Sequence, residues 1–160
     1  MGVGEGMPAA EVGVIVDWLV GAGATYQVNG GWGVDALAGR QTRDHRDLDL
    51  FVDAAVVDEL VAWLAQRGYR VSEDWLPIRV ELAGERGRVD VHPMELQPSG
   101  DGVQQGFGEQ VFLHAAKDRV VGVIDGREVI VASAARQREL RTGYEARPVD
   151  LHDLAVLDDL

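Results

Sequence analysis

The sequence predicts an α/β (α+β) fold in which helices pack against a twisted, mixed β-sheet. The hydrophobic pattern supports this class, and the length of the chain supports a single domain. Apolar residues recur with helical period in some stretches and alternate with polar residues in others, and the two kinds of stretch are interspersed along the chain. The length of 160 residues suits one domain with a real core. We therefore expect a single domain over residues 1–160, with the glycine-rich residues 1–8 as a disordered tail.

The first half of the chain shows a regular alternation of expected helices and strands. Helices are expected where apolar residues repeat every three or four positions, and glycines close them at Gly21, Gly39 and Gly68. In order, these elements are a helix (9–20), a strand (26–28), a short helix (32–38), a polar loop (40–46), a strand (47–52) and a helix (56–66).

The second half contains more expected strands and one long segment without a period. Turn-forming residues at 84–87 and at Asp125-Gly126 indicate two hairpins. Ser133 is expected to cap one helix and Asp150 the last one. In order, the expected elements are three strands (69–73, 78–82, 88–92), a long loop (93–110), two strands (120–124, 128–131) and two helices (from 133 to about 141, and from 150 onward).

Composition narrows the classes of partner and compartment. The net charge of −12 would repel nucleic acid and anionic membranes, so neither is expected as a partner, whereas a cationic small molecule would be attracted. The chain has no cysteine, which excludes disulfides and thiolate metal sites and fits a cytoplasmic protein. No stretch has the features of a signal peptide or a membrane span.

One pair of motifs indicates metal and phosphate chemistry. Asp47 and Asp49 alternate with apolar residues, so both carboxylates lie on one face of a strand, about 7 Å apart at Cα. Gly30 and Gly31 lie 16 or more residues upstream and offer backbone N–H groups without side chains in the way. Two convergent carboxylates suit a hard divalent cation such as Mg²⁺. Together the motifs suggest nucleotide chemistry.

These motifs resemble a known group of enzymes. The runs 30–35 and 39–50 are similar to the antibiotic nucleotidyltransferases, the aminoglycoside 2''-type and lincosamide adenylyltransferases of the polymerase-β-like superfamily. The segments 88–91, 142–144 and 152–154 also fit that family. The resemblance implies a small nucleotidyltransferase core that moves a nucleoside monophosphate, AMP from ATP in the expected case, to a hydroxyl of a small antibiotic-like acceptor with release of pyrophosphate. It also implies Mg²⁺, with two ions expected.

The expected roles of the site residues follow from the motifs and the resemblance together. Asp47 and Asp49 are expected to bind metal, and the resemblance makes Asp90 the general base and a third ligand. Glu81 and Glu95 stay open as alternative bases. Gly30 and Gly31 are expected to hold the β- and γ-phosphates. The nearby arginines Arg40, Arg43 and Arg46 supply positive charge, with Arg43 preferred by resemblance and Arg46 as a further nucleotide contact; without ligand they are expected to pair with Asp44, Asp47 or Asp49.

Several neighbouring residues have open roles. His45 and His92 each lie two residues from an aspartate and are expected to hydrogen-bond the metal ligands. Asp35 is expected to cap or to bind a hydroxyl. Tyr144, His152 and Asp153 are expected to line the acceptor side, with helix packing as the preferred explanation for Tyr144. In the 93–110 loop, Glu95, Asp101 and Glu109 would meet a cationic acceptor.

Two rival functions and a possible homodimer remain at this point. A nucleotidyltransferase that modifies a protein side chain, as in toxin–antitoxin pairs, would use the same chemistry on a different acceptor. A nucleotide-binding module without turnover is the other alternative, although the full set of carboxylates favours an enzyme.

Overall fold

The computed structural model describes residues 6–160, which form α-helices packed against a mixed β-sheet. The helices are α1 (Ala9–Gly21), α2 (Gly30–Ala38), α3 (Val57–Gln66), α4 (Ala134–Glu139) and α5 (Pro148–Asp158). The strands are β1 (Tyr26–Asn29), β2 (Asp47–Asp53), β3 (Arg70–Trp75), β4 (Arg79–Gly84), β5 (Gly87–Leu96), β6 (Gly102–Gln105), β7 (Val111–His114), β8 (Arg119–Ile124) and β9 (Arg127–Ala132). The predicted α/β class is confirmed.

The main sheet has the strand order β3-β4-β5-β2-β1-β9-β8. Its central strand, β2, runs antiparallel to β1 and parallel to β5. In the resulting register, Asp49 lies opposite Asn29 on one side and opposite Asp90 on the other. Residues opposite each other on neighbouring strands point to the same face of a sheet. The register therefore brings side chains from three strands together around Asp49.

The core lies on the other face of the same strands. Leu48, Leu50 and Val52 of β2 are fully buried there, because side chains alternate between the two faces of a strand. They form one apolar cluster with residues of α1 and α3, such as Leu19 and Leu60. Burying a leucine side chain contributes about 1.5–3 kcal/mol. The apolar half of each strand therefore holds the sheet in place, and the polar half is left for the site.

Helix α2 begins at the end of β1 and contacts both α4 and α5. Gly33 permits this close packing, because a Cβ there would collide with the Gln137 side chain of α4 and the Val28 carbonyl. The packing carries the start of α5 to the N-terminus of α2. Among the residues that the structure describes, no helix is long and apolar enough to cross a membrane.

Three expectations about local structure are wrong. The segment 93–110 is not one long loop, since β5 continues to Leu96, and β6 starts a hairpin with β7 within a second, smaller sheet. Asp150 does not cap α5; Arg147 is the N-cap, and Asp150 sits at the third helical position, where its carboxylate accepts the Arg147 N–H at 2.9 Å.

The third correction concerns the N-terminus. Residues 1–5 of the expected tail lie outside the described part of the chain. Met7, however, is 1% exposed and packs in the core. Its N–H donates to the carbonyl of His45 at 2.6 Å, and its carbonyl accepts the indole N–H of Trp32 at 3.1 Å. The described end of the segment is therefore built into the fold.

Candidate active site

Three carboxylates converge on the polar face of the sheet. Asp47 and Asp49 alternate along β2, and Asp90 lies opposite Asp49 on the parallel strand β5. Carboxylate oxygens of Asp49 and Asp90 and a ring nitrogen of His92 all lie within 4.8 Å of one another. The third aspartate thus points to the same side as the first two. The arrangement gives hard oxygen donors spaced for a shared cation.

The pKa values of the aspartates show how strongly the site concentrates negative charge. Burial, together with the charges of Asp49 and Asp90, raises the pKa of Asp47 to about 6. Burial acts the same way on Asp90, but hydrogen bonds from His92 and Arg79 outweigh it and lower the pKa of that carboxyl. A divalent cation would relieve the repulsion among the three acids, so the residues present fit a magnesium site.

His92 and Arg79 are the cations beside Asp90. The His92 ring lies 3.6 Å from Asp90 and 3.8 Å from Asp49, and it stacks on Phe51 with the ring centres 4.3 Å apart. Burial opposes protonation of His92, but its bonds to Asp49 and Asp90 raise its pKa to about 9. Arg79 donates to Asp90 at 3.0 Å. His92 therefore lies, as expected, beside Asp49 and Asp90, the carboxylates predicted to bind metal.

The alternative bases are placed less favourably than Asp90. Glu81 lies opposite Asp90 on β4, but it is not part of the convergent group of Asp49, Asp90 and His92, and Arg88 binds its carboxylate at 3.0 Å. Glu95 is exposed, and the alternation of β5 directs it to the other face of the strand, where it lines a separate cavity with Pro77 and Glu109. The structure therefore favours Asp90 among the three.

The paired glycines lie directly against these carboxylates. Gly30 opens α2 with a φ of 64°, and a Cβ on it would overlap the Asp49 carboxylate. A Cβ on Gly31 would overlap the guanidinium of Arg43 and the ring of His45. The first N–H groups of a helix have no partner within it and favour anions. The glycines thus leave room for these three side chains, and the unpartnered N–H groups at the start of α2 suit an anion.

Arginines from three segments surround this N-terminus. They line a cleft of about 260 Å³ that also includes Gly30, Gly31, Asp47 and Asp49. Its arginines are Arg43, Arg46, Arg141 and Arg147. Arg40 lies elsewhere, in a cavity beside Trp32 and Val123. The sequence did not single out Arg141 or Arg147, and the only available signal was their place beside the motif segment 142–154.

Two buried acids of α5 hold the arginines in position. Asp153 is 2% exposed and receives two bonds of 3.0 Å from Arg43 and one of 3.0 Å from Arg141. Asp150 is equally buried and binds Arg147 through two side-chain bonds of 3.0 and 3.1 Å. The expectation that Arg43 pairs with Asp44, Asp47 or Asp49 is wrong, because Asp153 takes its guanidinium. Asp153, which was expected to line the acceptor side, instead binds two arginines of the cleft.

A second buried network anchors the loop that carries Arg43. Asp35 of α2 is 1% exposed, accepts the Thr42 N–H at 2.8 Å and bonds the ring of His45 at 2.6 Å. Thr42 also bonds His152 of α5 at 2.8 Å. His45 therefore hydrogen-bonds Asp35, and the expectation that it hydrogen-bonds the predicted metal ligands is wrong. Asp35 and His152 fix the loop against two helices.

These features agree with a known family. The sequence pattern of the aminoglycoside-2''-adenylyltransferase family matches residues 11–157, and this span contains all three aspartates, both glycines and the arginines of the cleft. The chain belongs to this family. As a member of it, the protein is an enzyme, a nucleotidyltransferase, and the family implies a nucleoside triphosphate and a divalent metal.

Individual relatives support the same assignment. A lincosamide resistance protein of Staphylococcus haemolyticus is 39% identical over 159 residues, which cover 94% of each chain. The crystal structure of the lincosamide antibiotic adenylyltransferase LnuA with lincomycin bound is 29% identical, covers 96% of this chain and 98% of its own, and superposes with a TM-score of 0.88. The aminoglycoside enzyme ANT(2'')-Ia with adenylyl-2''-tobramycin shares the fold, with a TM-score of 0.69 at 19% identity over 94% of this chain and 87% of its own.

Proposed function

We propose that the protein transfers AMP from ATP to a hydroxyl group of a lincosamide antibiotic and releases pyrophosphate. The close register of Asp49 and Asp90 beside the open N-terminus of α2 carries this proposal. In the proposed reaction the phosphoryl group would lie at the start of α2, and Asp90, opposite Asp49 on the neighbouring strand, would accept the proton of the attacking hydroxyl. The similarity to a lincosamide resistance protein and to lincomycin-bound LnuA supports this class of acceptor.

Separate sets of residues bind the phosphates and the metal in this reaction. The N–H groups at Gly30 and Gly31, with Arg43 and Arg46, hold the β- and γ-phosphates, and Arg141 and Arg147 extend that cationic wall. Asp47, Asp49 and Asp90 are the ligands for Mg²⁺, with two ions expected; bound there, the metal would neutralise charge on the phosphates and the leaving pyrophosphate.

In the transfer step, one phosphorus–oxygen bond replaces another. The acceptor hydroxyl oxygen forms a bond to the α-phosphorus, while the bond between that phosphorus and the oxygen bridging to the β-phosphate breaks. Asp90 takes the hydroxyl proton, and the electron pair of the broken bond leaves on pyrophosphate. Arg79 and His92 hold the Asp90 carboxylate in place for this role.

Replacing one metal ligand tests the proposal. Asp49→Asn keeps the shape of the side chain but removes its charge, so we expect pyrophosphate release with ATP, Mg²⁺ and lincomycin to fall by roughly 10³-fold or more. The far-ultraviolet circular dichroism should not change. Asp58→Asn, an exposed aspartate on α3, is the matched control and should keep its activity. A fully active Asp49→Asn protein would contradict the metal assignment.

A comparison of acceptors decides between lincosamides and aminoglycosides. The family's description names an aminoglycoside adenylyltransferase, and the structure of ANT(2'')-Ia contains adenylyl-2''-tobramycin, so tobramycin is the second candidate acceptor. We expect kcat/KM to be higher for lincomycin than for tobramycin in the same pyrophosphate assay. Binding of ATP and Mg²⁺ by calorimetry, without pyrophosphate release for either antibiotic, would instead favour a different acceptor, such as a protein side chain, or a module without turnover.

A further inference from the structure

Asn29 carries a buried amide donor in a cavity that adjoins the cleft at the N-terminus of α2. The residue is 3% exposed, and its Nδ2 has no hydrogen-bond partner among the described residues. It lines a cavity together with Gly30, Asp49, Phe51 and His92. A buried donor without a partner is costly, by roughly 1–3 kcal/mol, unless something binds to it. The position therefore calls for a ligand that supplies an acceptor.

The direction in which Asn29 donates is fixed by two residues behind it. Arg119 has only donors, so the side-chain oxygen of Gln27 must face it, and the two lie 3.3 Å apart. The Gln27 amide nitrogen then faces away from Arg119 and donates to Oδ1 of Asn29 at 3.0 Å. With Oδ1 taken, only the nitrogen of Asn29 remains for the cleft. Since Gln27 is 1% exposed, water cannot easily reverse this order.

The hydrogen-bond chain from Gln27 to Asn29 begins at the guanidinium of Arg119, which donates its hydrogen bonds to neutral groups. Besides Gln27, the guanidinium of Arg119 donates to the carbonyls of Gly100 at 2.8 Å and His114 at 3.4 Å. Partial burial lowers the pKa of Arg119 because less water stabilises its charge, and the nearby charge of Asp101 offsets this only in part. A hydrogen-bond chain that begins at a partly buried cation, such as Arg119, is polarised along its length. The Nδ2 of Asn29 is therefore a stronger donor than an isolated amide.

We infer that Asn29 binds a non-bridging oxygen of the phosphoryl group that is transferred, and that Gln27 and Arg119 are positioning residues that hold its donor toward that oxygen. This inference rests on the proposed function. Asn29 lies opposite Asp49 across β1 and β2 and directly precedes Gly30 at the N-terminus of α2. Its donor therefore adjoins both the proposed metal ligand Asp49 and the N–H groups of the paired glycines. During phosphoryl transfer, charge spreads over the non-bridging oxygens, and a fixed donor in a dry cleft stabilises it.

Gln27→Glu tests this relay, meaning the orientation of the Asn29 amide by Arg119 and Gln27, without changing any residue that lines the cleft. Glutamate is the same size, but both of its oxygens accept. One would take the bond from Arg119, and the other would draw the Nδ2 of Asn29 away and turn its oxygen to the cleft. We expect kcat to fall about 10²-fold, as for loss of a transition-state donor, with a smaller change in the KM for ATP.

Two further variants separate this effect from added charge or lost stability. Asn29→Ala should lower kcat to a similar extent, and Gln27→Glu in the Asn29→Ala background should lower it no further, because the donor is already absent. Tyr26→Phe is the control on the same strand: it loses the buried bond to the Ile130 N–H on the opposite face and should keep its turnover. A Gln27→Glu enzyme within twofold of the wild type, or a double variant that loses further activity, would overturn the relay.

Nuclear magnetic resonance gives a readout that does not depend on turnover. In the wild-type protein with Mg²⁺, α,β-methylene ATP should shift the side-chain amide signals of Asn29 and leave those of the surface residue Gln66 in place. Unshifted Asn29 signals in the nucleotide-saturated protein would overturn the contact. Wild-type protein that binds this analogue but releases no pyrophosphate with either antibiotic would contradict the proposed function and leave the Asn29 contact to be decided by the shift alone.

Discussion

Single residues in this site are placed by the hydrogen bonds of their neighbours. His114 is an example: its Nε2 forms a hydrogen bond of 2.8 Å with the side-chain amide of Gln104, and its Nδ1 has no partner among the residues described. Burial and the nearby charges of Arg136, His92 and Arg119 lower the pKa of His114 to about 4. The fold therefore holds this histidine neutral at physiological pH.

This neutral histidine predicts a specific pH dependence of stability. Below pH 6.5 the unfolded chain binds a proton at His114, whereas the folded protein does not until about pH 4. The wild type should thus lose up to about 1.4 kcal/mol of unfolding free energy per pH unit between those values through this group. His114→Gln lacks this loss, so urea unfolding at pH 7, 6 and 5 should show the wild type weakening relative to the variant. A constant difference across this range would refute the buried neutral state.

At the scale of elements, α5 is the part that joins the arginines to the catalytic sheet. Its first turns carry two buried acids, each bonded to arginine side chains that line the cleft at the N-terminus of α2. Asp150 has a double role, because it also completes a capping box with the backbone N–H of Arg147. The start of the helix and the wall of the cleft therefore depend on the same carboxylate.

Asp150→Asn should weaken α5 in a pH-dependent way. The hydrogen bonds from Arg147 lower the pKa of Asp150 to about 2 in spite of burial. A carboxyl with a lowered pKa stabilises the folded state above its unfolded pKa near 4, and this contribution is lost as pH falls from 4 toward 2. Since Arg147 is largely exposed, we expect a loss of only about 1 kcal/mol at pH 7. Chemical unfolding at pH 7 and pH 3 checks this, and an equal loss at both values would contradict it.

The elements also show what the sequence could predict. The strand with Asp47 and Asp49 and the strand with Asp90 were predictable because their alternation is a local property of the chain. The hairpin of β6 and β7 was missed because its four-residue strands lie among glycines and carry exposed apolar residues such as Val111. Arg141 and Arg147 were missed for another reason: their place in the cleft depends on α5 packing against α2, a contact between distant parts of the chain.

At the scale of the whole molecule, the clustered carboxylates of the site lower the stability of the folded state. The fold gathers three carboxylates on one face although the chain already carries a net charge of −12. The raised pKa of Asp47 measures the cost, because its ionisation is disfavoured by burial and by its acidic neighbours. A bound divalent cation would offset this repulsion and stabilise the folded state by mass action. The stability of the whole chain should therefore report whether the site is filled.

Asp47→Asn puts this coupling to the test. In the folded protein the pKa of Asp47 is about 6, above its unfolded value near 4, so its ionisation costs stability increasingly between pH 4 and 6 and fully above that. Without metal, the variant should be more stable than the wild type by about 1–2 kcal/mol at pH 7 and no more stable at pH 4. Adding Mg²⁺ with a non-hydrolysable ATP analogue should raise the melting temperature of the wild type and have much less effect on the variant. Equal responses of the two proteins to Mg²⁺ would mean that Asp47 does not bind the ion, and the repulsion it suffers would then need a different explanation.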